Sequence, residues 1–155
     1  MNILDKIKQL EKMSVTIGIH GMEGEQKKLV RKVPAYKKAA KGQREAVDSN
    51  LTVAQVAFWN EFGTRRIPSR SFLRSVFMKK NREITLAANR ILMNDPDKFY
   101  PMIGQFVLSQ VKLQIANNIP PPLKPETIRR KGSSTALVDT GQLRNALTYK
   151  VWSVE

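Results

Sequence analysis

The sequence predicts an α+β fold, a small antiparallel sheet packed against two long helices, with a long basic arm or loop and an extended Pro-rich loop. Three observations predict it. A stretch near each end of the chain alternates apolar and polar residues with the period of a strand. Two central stretches repeat apolar residues at helical spacing. The 155 residues, 41% hydrophobic and 26% charged, suit one domain (1–155) with a single core.

The elements follow in chain order. Asn2 to Lys12 reads as a short amphipathic helix, with Ile3, Leu4, Ile7 and Leu10 on one face. Ser14 to His20 alternates Val15, Ile17 and Ile19 with Thr16 and Gly18, the pattern of a half-buried strand, and Gly21 and Gly24 supply a turn. From Gln26 to Arg44 there are eight basic residues, Lys27, Lys28, Arg31, Lys32, Lys37, Lys38, Lys41 and Arg44, and no acid. With few large apolar residues and with Pro34 and Gly42, the segment 26–44 is expected to be a flexible arm or loop.

Thr52 and Gln55 form a capping-box pattern that opens a short helix, and Gly63 stands where a positive φ would end it. Ser71 to Asn94 carries Leu73, Phe77, Ile84, Ala88 and Ile91 in one stripe, the pattern of a long helix ended by Asp95-Pro96. A further helix over Lys98 to Asn117 places Phe99, Ile103, Phe106 and Leu113 broadly on one side. Ile119 to Thr135, rich in proline, lysine, glycine and serine, reads as an extended loop. The last strand runs from about Ala146 to Val154, with Leu147, Tyr149, Val151 and Ser153 opposite Thr148, Lys150, Trp152 and Val154.

Charge is the most unusual bulk property. Lys and Arg number 27 against 13 acids, a formal net charge of +14, so a partner of opposite sign is expected: nucleic acid, an acidic protein surface or a membrane face. Two further basic clusters follow the first, Arg65, Arg66, Arg70, Arg74, Lys79, Lys80 and Arg82, and then Arg129, Arg130 and Lys131. No apolar run is long enough to span a bilayer, and the opening MNILDKIKQLEKM lacks the apolar region of a signal peptide.

The same inventory points away from an enzyme. The chain has no cysteine and a single histidine, His20, so it lacks the ligands of a zinc hydrolase and the parts of a thiol or histidine-dependent triad. No phosphate-binding glycine motif follows a strand. No metal or cofactor is expected.

Two blocks carry a resemblance. Ala54 to Arg74, AQVAFWNEFGTRRIPSRSFLR, resembles the A-x-x-A-x-x-N-E-F-G-T and I-P-x-R-x-F-L-R signature of the tail-completion and virion-morphogenesis proteins of tailed bacteriophages. Pro122 to Val151 is similar to that family's second segment, P-L-x-x-x-T-I-x-x-K followed by L-x-D-T-G-x-L-R-x-S-I. The blocks occur in the family's order and span about a third of the chain. Ser71 stands where the family has proline, Ala146 stands where it often has serine, and the basic segment 26–44 has no counterpart.

The resemblance implies a structural virion protein, a minor tail subunit at the head–tail junction or neck. Such subunits form a ring, expected here to be hexameric, that completes the tail between the head connector or stopper and the tail-terminator or tail-tube proteins. Genomic DNA passes through its channel, where basic side chains would neutralise phosphates without reading bases. The implied location is the head-proximal end of the tail, with assembly in the host cytoplasm and no membrane. A ring needs two different complementary patches on each subunit. The alternative is a basic DNA-binding or assembly protein outside the particle, which the charge and the arm alone would support.

The residues expected to matter are therefore of two kinds. Lys27, Lys28, Arg31, Lys32, Lys37, Lys38, Lys41 and Arg44 are candidates for contact with DNA or the connector. Asn60, Glu61, Phe62, Gly63, Pro68, Arg70, Phe72, Asp139, Thr140, Gly141, Leu143 and Arg144 form the assembly motif. Glu61, a lone acid without a paired group, is expected to make a helix-terminal hydrogen bond or a salt bridge to Arg65 or Arg66. Phe58, Trp59 and Phe62 are expected in the core or a subunit interface rather than stacked on bases. Asp139 is a candidate N-cap, or else an inter-subunit ion partner of Arg144.

Overall fold

The computed structural model describes residues 3–21, 52–132, 134–138 and 141–153. The basic segment 26–44, with its eight candidate contact residues, and the pair Asp139 and Thr140 lie outside the described residues.

Helix α1 (Ile3–Glu11) is followed after one residue by strand β1 (Met13–Gly18). Strand β2 (Thr148–Ser153) closes the chain's fold by pairing antiparallel with β1, Met13 opposite Ser153 and Gly18 opposite Thr148. The alternation holds: Val15, Ile17 and Tyr149 pack toward the core, while Thr16, Lys150 and Trp152 are exposed. Both strands are shorter than the sequence suggests. β1 stops before His20, and Ala146 belongs to a helix.

A two-stranded sheet is marginal by itself and needs a covering element. Helix α5 (Phe99–Ala116) provides it, burying Ile103, Val107, Leu108, Val111 and Ile115. The approach is close because Gly104 faces the sheet: a Cβ there would lie 2.7 Å from the Tyr149 ring and 3.0 Å from Val15 Cγ2. Helix α4 (Asn81–Asn94) lies along α5 and ends before Asp95-Pro96, where a 3-10 turn over Pro96–Lys98 leads into α5. The fold is thus a two-stranded antiparallel sheet packed against two long helices.

Several expectations about the helices need correction. The stretch Ser71 to Asn94 is not one helix: α3 (Arg74–Lys79) and α4 are separated at Lys80, whose φ of −114° and ψ of 18° interrupt the helix. The Lys80 ammonium is drawn to Gln110 on α5 at 2.8 Å and to Glu83 at 3.2 Å. Phe77 accordingly is 47% exposed, and Val76 is the buried residue of α3. Leu113 also faces outward, because the buried stripe of α5 runs through Val111 and Ile115.

The segment 119–135 is not extended throughout. Pro125–Lys131 forms helix α6, with proline at its start, Glu126 in its first turn and Gly132 in the left-handed conformation at its end. A short helix α7 (Gln142–Ala146) precedes β2 and is entered through Gly141 at φ 75° and ψ −2°. Gly141, not Asp139, therefore holds the N-cap position of that helix.

Candidate functional site

The site is built where the first sequence block folds back on itself. Helix α2 (Val53–Phe62) starts on the expected capping box: Gln55 N–H donates to Thr52 Oγ1 at 3.2 Å, and Thr52 N–H donates to Gln55 Oε1 at 3.0 Å. It ends at Gly63, whose φ of 79° and ψ of 172° only glycine adopts readily. A Cβ at Gly63 would also lie 2.9 Å from Ser69 N. The turn that follows is held by Thr64, whose Oγ1 accepts the N–H groups of Arg66 and Ile67.

That turn returns the chain to α2, where Arg70 N–H donates to Asn60 O at 2.6 Å. Asn60 itself donates through Nδ2 to Val56 O, one turn back on α2. Glu61 is the centre of the arrangement. It is 3% exposed, and its carboxylate accepts from Ser71 Oγ at 2.6 Å, Phe72 N at 2.8 Å, Leu73 N at 2.9 Å, Arg74 N at 3.1 Å and Arg74 Nε at 3.0 Å. Helix α3 has no side-chain cap of its own at Leu73, so a carboxylate from another helix receives its leading amides.

The expected ion pair from Glu61 to Arg65 or Arg66 is replaced by this cluster. Arg65 and Arg66 are exposed, and the pairing cation is Arg74. Burial pushes the Glu61 carboxyl up, but the hydrogen bonds from Ser71, Leu73 and Arg74 outweigh it and hold the group below its ordinary value. The hydrogen bonds that saturate the carboxylate favour its ionised form and occupy its oxygens.

Arg70 joins the two sequence blocks. Its side chain is buried, with Nε donating to Pro121 O at 2.9 Å and a terminal nitrogen to Pro122 O at 3.5 Å. The second basic cluster is therefore not one surface, since Arg70 turns inward and Arg74 is spent on Glu61. Phe72 is fully buried, and Leu143 and Leu147 of the second block enter the same core. Of the assembly-motif residues, Asn60, Glu61, Gly63, Arg70 and Phe72 are brought together, with Leu143 in the core behind them. Phe62, Pro68 and Arg144 are exposed.

Phe58 and Phe62 are not core residues. They are 59% and 52% exposed, their ring centroids are 4.7 Å apart, and the Arg74 guanidinium stacks over Phe62 at 4.6 Å. Trp59 is half-buried. Ser71 and Arg74 are the partners that sequence reasoning missed: their distance of ten and thirteen residues from Glu61 matches no helical or strand period.

His20 stands on the solvent face of the sheet, with Nε2 2.8 Å from Thr16 Oγ1 and Nδ1 2.9 Å from Thr148 Oγ1. Trp152 Nε1 donates to the same Thr16 hydroxyl, and the Lys150 ammonium sits 3.8 Å from the Trp152 ring centroid. Among the described residues no three His, Cys, Asp or Glu side chains are grouped to hold a metal ion, and no helix is long and apolar enough to cross a membrane. No protein-family model matches the chain, and neither a curated protein nor a solved structure is significantly similar to it.

Proposed function

We propose that the protein is a structural subunit of a tailed-phage particle, a tail-completion protein that forms a ring at the head–tail junction through which DNA passes. The observation that carries this reading is the convergence of the two motif blocks. Arg70 of the first reaches the carbonyls of Pro122, the first residue of the second, and of Pro121 just before it, and Phe72 and Leu147 share one core. Asn60, Glu61, Arg70 and Phe72 are consumed in internal bonding and packing, which suits a rigid assembly scaffold better than a reacting site.

Exposed apolar side chains support the same reading. Met78, Met93, Leu86, Phe58 and Phe62 are all more than half exposed, and methionine and aromatic side chains are favoured in subunit interfaces. The net charge of +14 suits a channel that passes DNA and a neighbour such as a connector, terminator or tail-tube subunit with an acidic face. The charge equally favours the second reading, a basic DNA-binding or assembly protein outside the particle.

Quantitative mass spectrometry of purified, nuclease-treated particles separates the two. A small constant copy number per particle is expected. A chain abundant in the lysate and missing from infectious particles would remove the structural reading and leave the second.

A further inference from the structure

Among the apolar surfaces that no described residue covers, one is the face of a helix and one is a groove. The helix is α1, where Leu4 is 60% and Ile7 is 46% exposed. The groove, of about 1000 Å³, lies between α4 and α5, floored by Leu86, Ala87, Ile91, Met102 and Phe106 and bounded by Tyr149 of β2. Helix α4 has no buried residue along its 14 positions, because its apolar side opens into this groove.

We infer that α1 of one copy docks in the α4–α5 groove of a second copy, so that the chain associates with itself head to tail. Shape supports this occupant. A groove between two helices receives the apolar face of a third, and a nine-residue helix about 13 Å long fits beside α4, which is about 21 Å long.

Charge supports it as well. Leu4, Ile7 and Glu11 are spaced i, i+3 and i+7, so an exposed acid shares the apolar face of α1. At the groove, Glu83 is held by Lys80 at 3.2 Å and Lys98 by Asp95 at 2.9 Å. Arg90 is the lining cation with no acidic partner among the described residues, and Glu11 likewise has no basic one.

The docking is between copies rather than within one. Only Lys12 separates α1 from β1, whose register with β2 begins at Met13, and Tyr100 Oη donates to Leu10 O at 2.6 Å. That bond holds α1 at the end of α5 with Leu4 and Ile7 still exposed, so α1 does not fill the groove of its own copy. Because the two patches differ, the contact is heterologous and propagates into a closed ring or an open filament. It rests on the proposed ring-subunit reading and names one interface of that ring.

The absence of cysteine makes the test clean. Separately purified Ile7→Cys and Met102→Cys proteins are mixed and oxidised, with Ile7→Cys and Arg129→Cys as the control pair. A reducible covalent dimer in the first mixture and not in the control is expected, and the double variant Ile7→Cys/Met102→Cys should give a ladder of covalent multimers. Glu11→Arg should weaken self-association in sedimentation about tenfold, and adding Arg90→Glu should restore it.

No excess dimer over the control, or a double variant that closes into a cross-linked monomer, overturns the inference. A chain present in particles at fixed copy number but lacking this cross-link keeps the particle reading and loses the interface. A chain that cross-links but is missing from particles keeps the interface and loses the particle reading.

Discussion

Glu61, on the last turn of α2, accepts the backbone N–H of Leu73 at 2.9 Å, so one helix caps the next across twelve residues of chain. Ser71, Phe72 and Arg74 donate to the same carboxylate. Glu61→Gln keeps the shape but turns an NH₂ toward a ring of donors. Hydrogen bonds to a buried charged group are worth about 1.5–3 kcal/mol each, so a loss of roughly 2–4 kcal/mol is expected. Thermal unfolding followed by circular dichroism should show a drop in Tm on the order of 10 °C. A change within about 0.5 kcal/mol, the range of ordinary surface substitutions, would show the cluster to be dispensable.

Two groups should make stability depend on pH. Hydrogen bonding holds the Glu61 pKa down in the fold, so its contribution is complete above the unfolded value of about 4.3 and is lost as pH falls through the folded value. Burial and the nearby Lys150 lower His20, so the fold favours its neutral form. Its contribution is present above about 6.5 and lost as pH falls through its lower folded value. Urea midpoints should fall in a shallow step below about 6.5 and a steeper one below about 4.3. His20→Asn should remove the first step, and Glu61→Gln the second.

The two positive-φ glycines that follow helix C-termini, Gly63 and Gly132, should respond differently to asparagine. Gly132 has φ 70° and ψ 13°, a left-handed conformation that asparagine tolerates, and no atom lies within 4 Å of its missing Cβ. Gly63 has ψ 172° and a crowded Cβ direction. Gly132→Asn should cost less than about 1 kcal/mol and Gly63→Asn about 2–3 kcal/mol in chemical denaturation. Equal costs would show that the Gly63 turn relaxes.

Gly104 sets the distance between α5 and the sheet. Gly104→Ala adds a methyl against the Tyr149 ring and Val15, an overpacking cost of about 1–3 kcal/mol despite alanine's better helix propensity. Combining it with Tyr149→Leu should recover part of that loss. A double-mutant cycle measures the coupling, and strictly additive effects would place the cost elsewhere.

The features legible from the sequence alone have their causes close together in the chain. The alternation around Val15 and Tyr149 assigned both strands, Thr52 and Gln55 marked the start of α2, and Asp95-Pro96 marked the end of α4. Helix α6 was legible in its proline start and glycine end, but seven residues are too few to show periodicity, and the composition of 119–135 outweighed those signals. The seven-residue step from Phe77 to Ile84 hid the break at Lys80, since a stripe with a gap reads the same on one helix as on two.

Only the tertiary structure decided what the motif residues touch. Glu61 bypasses the neighbouring Arg65 and Arg66 for donors ten to thirteen residues away, and Arg70 turns from a surface cluster to carbonyls about fifty residues on. The physical reason is that a buried polar group takes whatever partner packing brings within hydrogen-bond distance. Helical and strand periods determine which face of an element is apolar, but not which distant amide or carbonyl that face will meet.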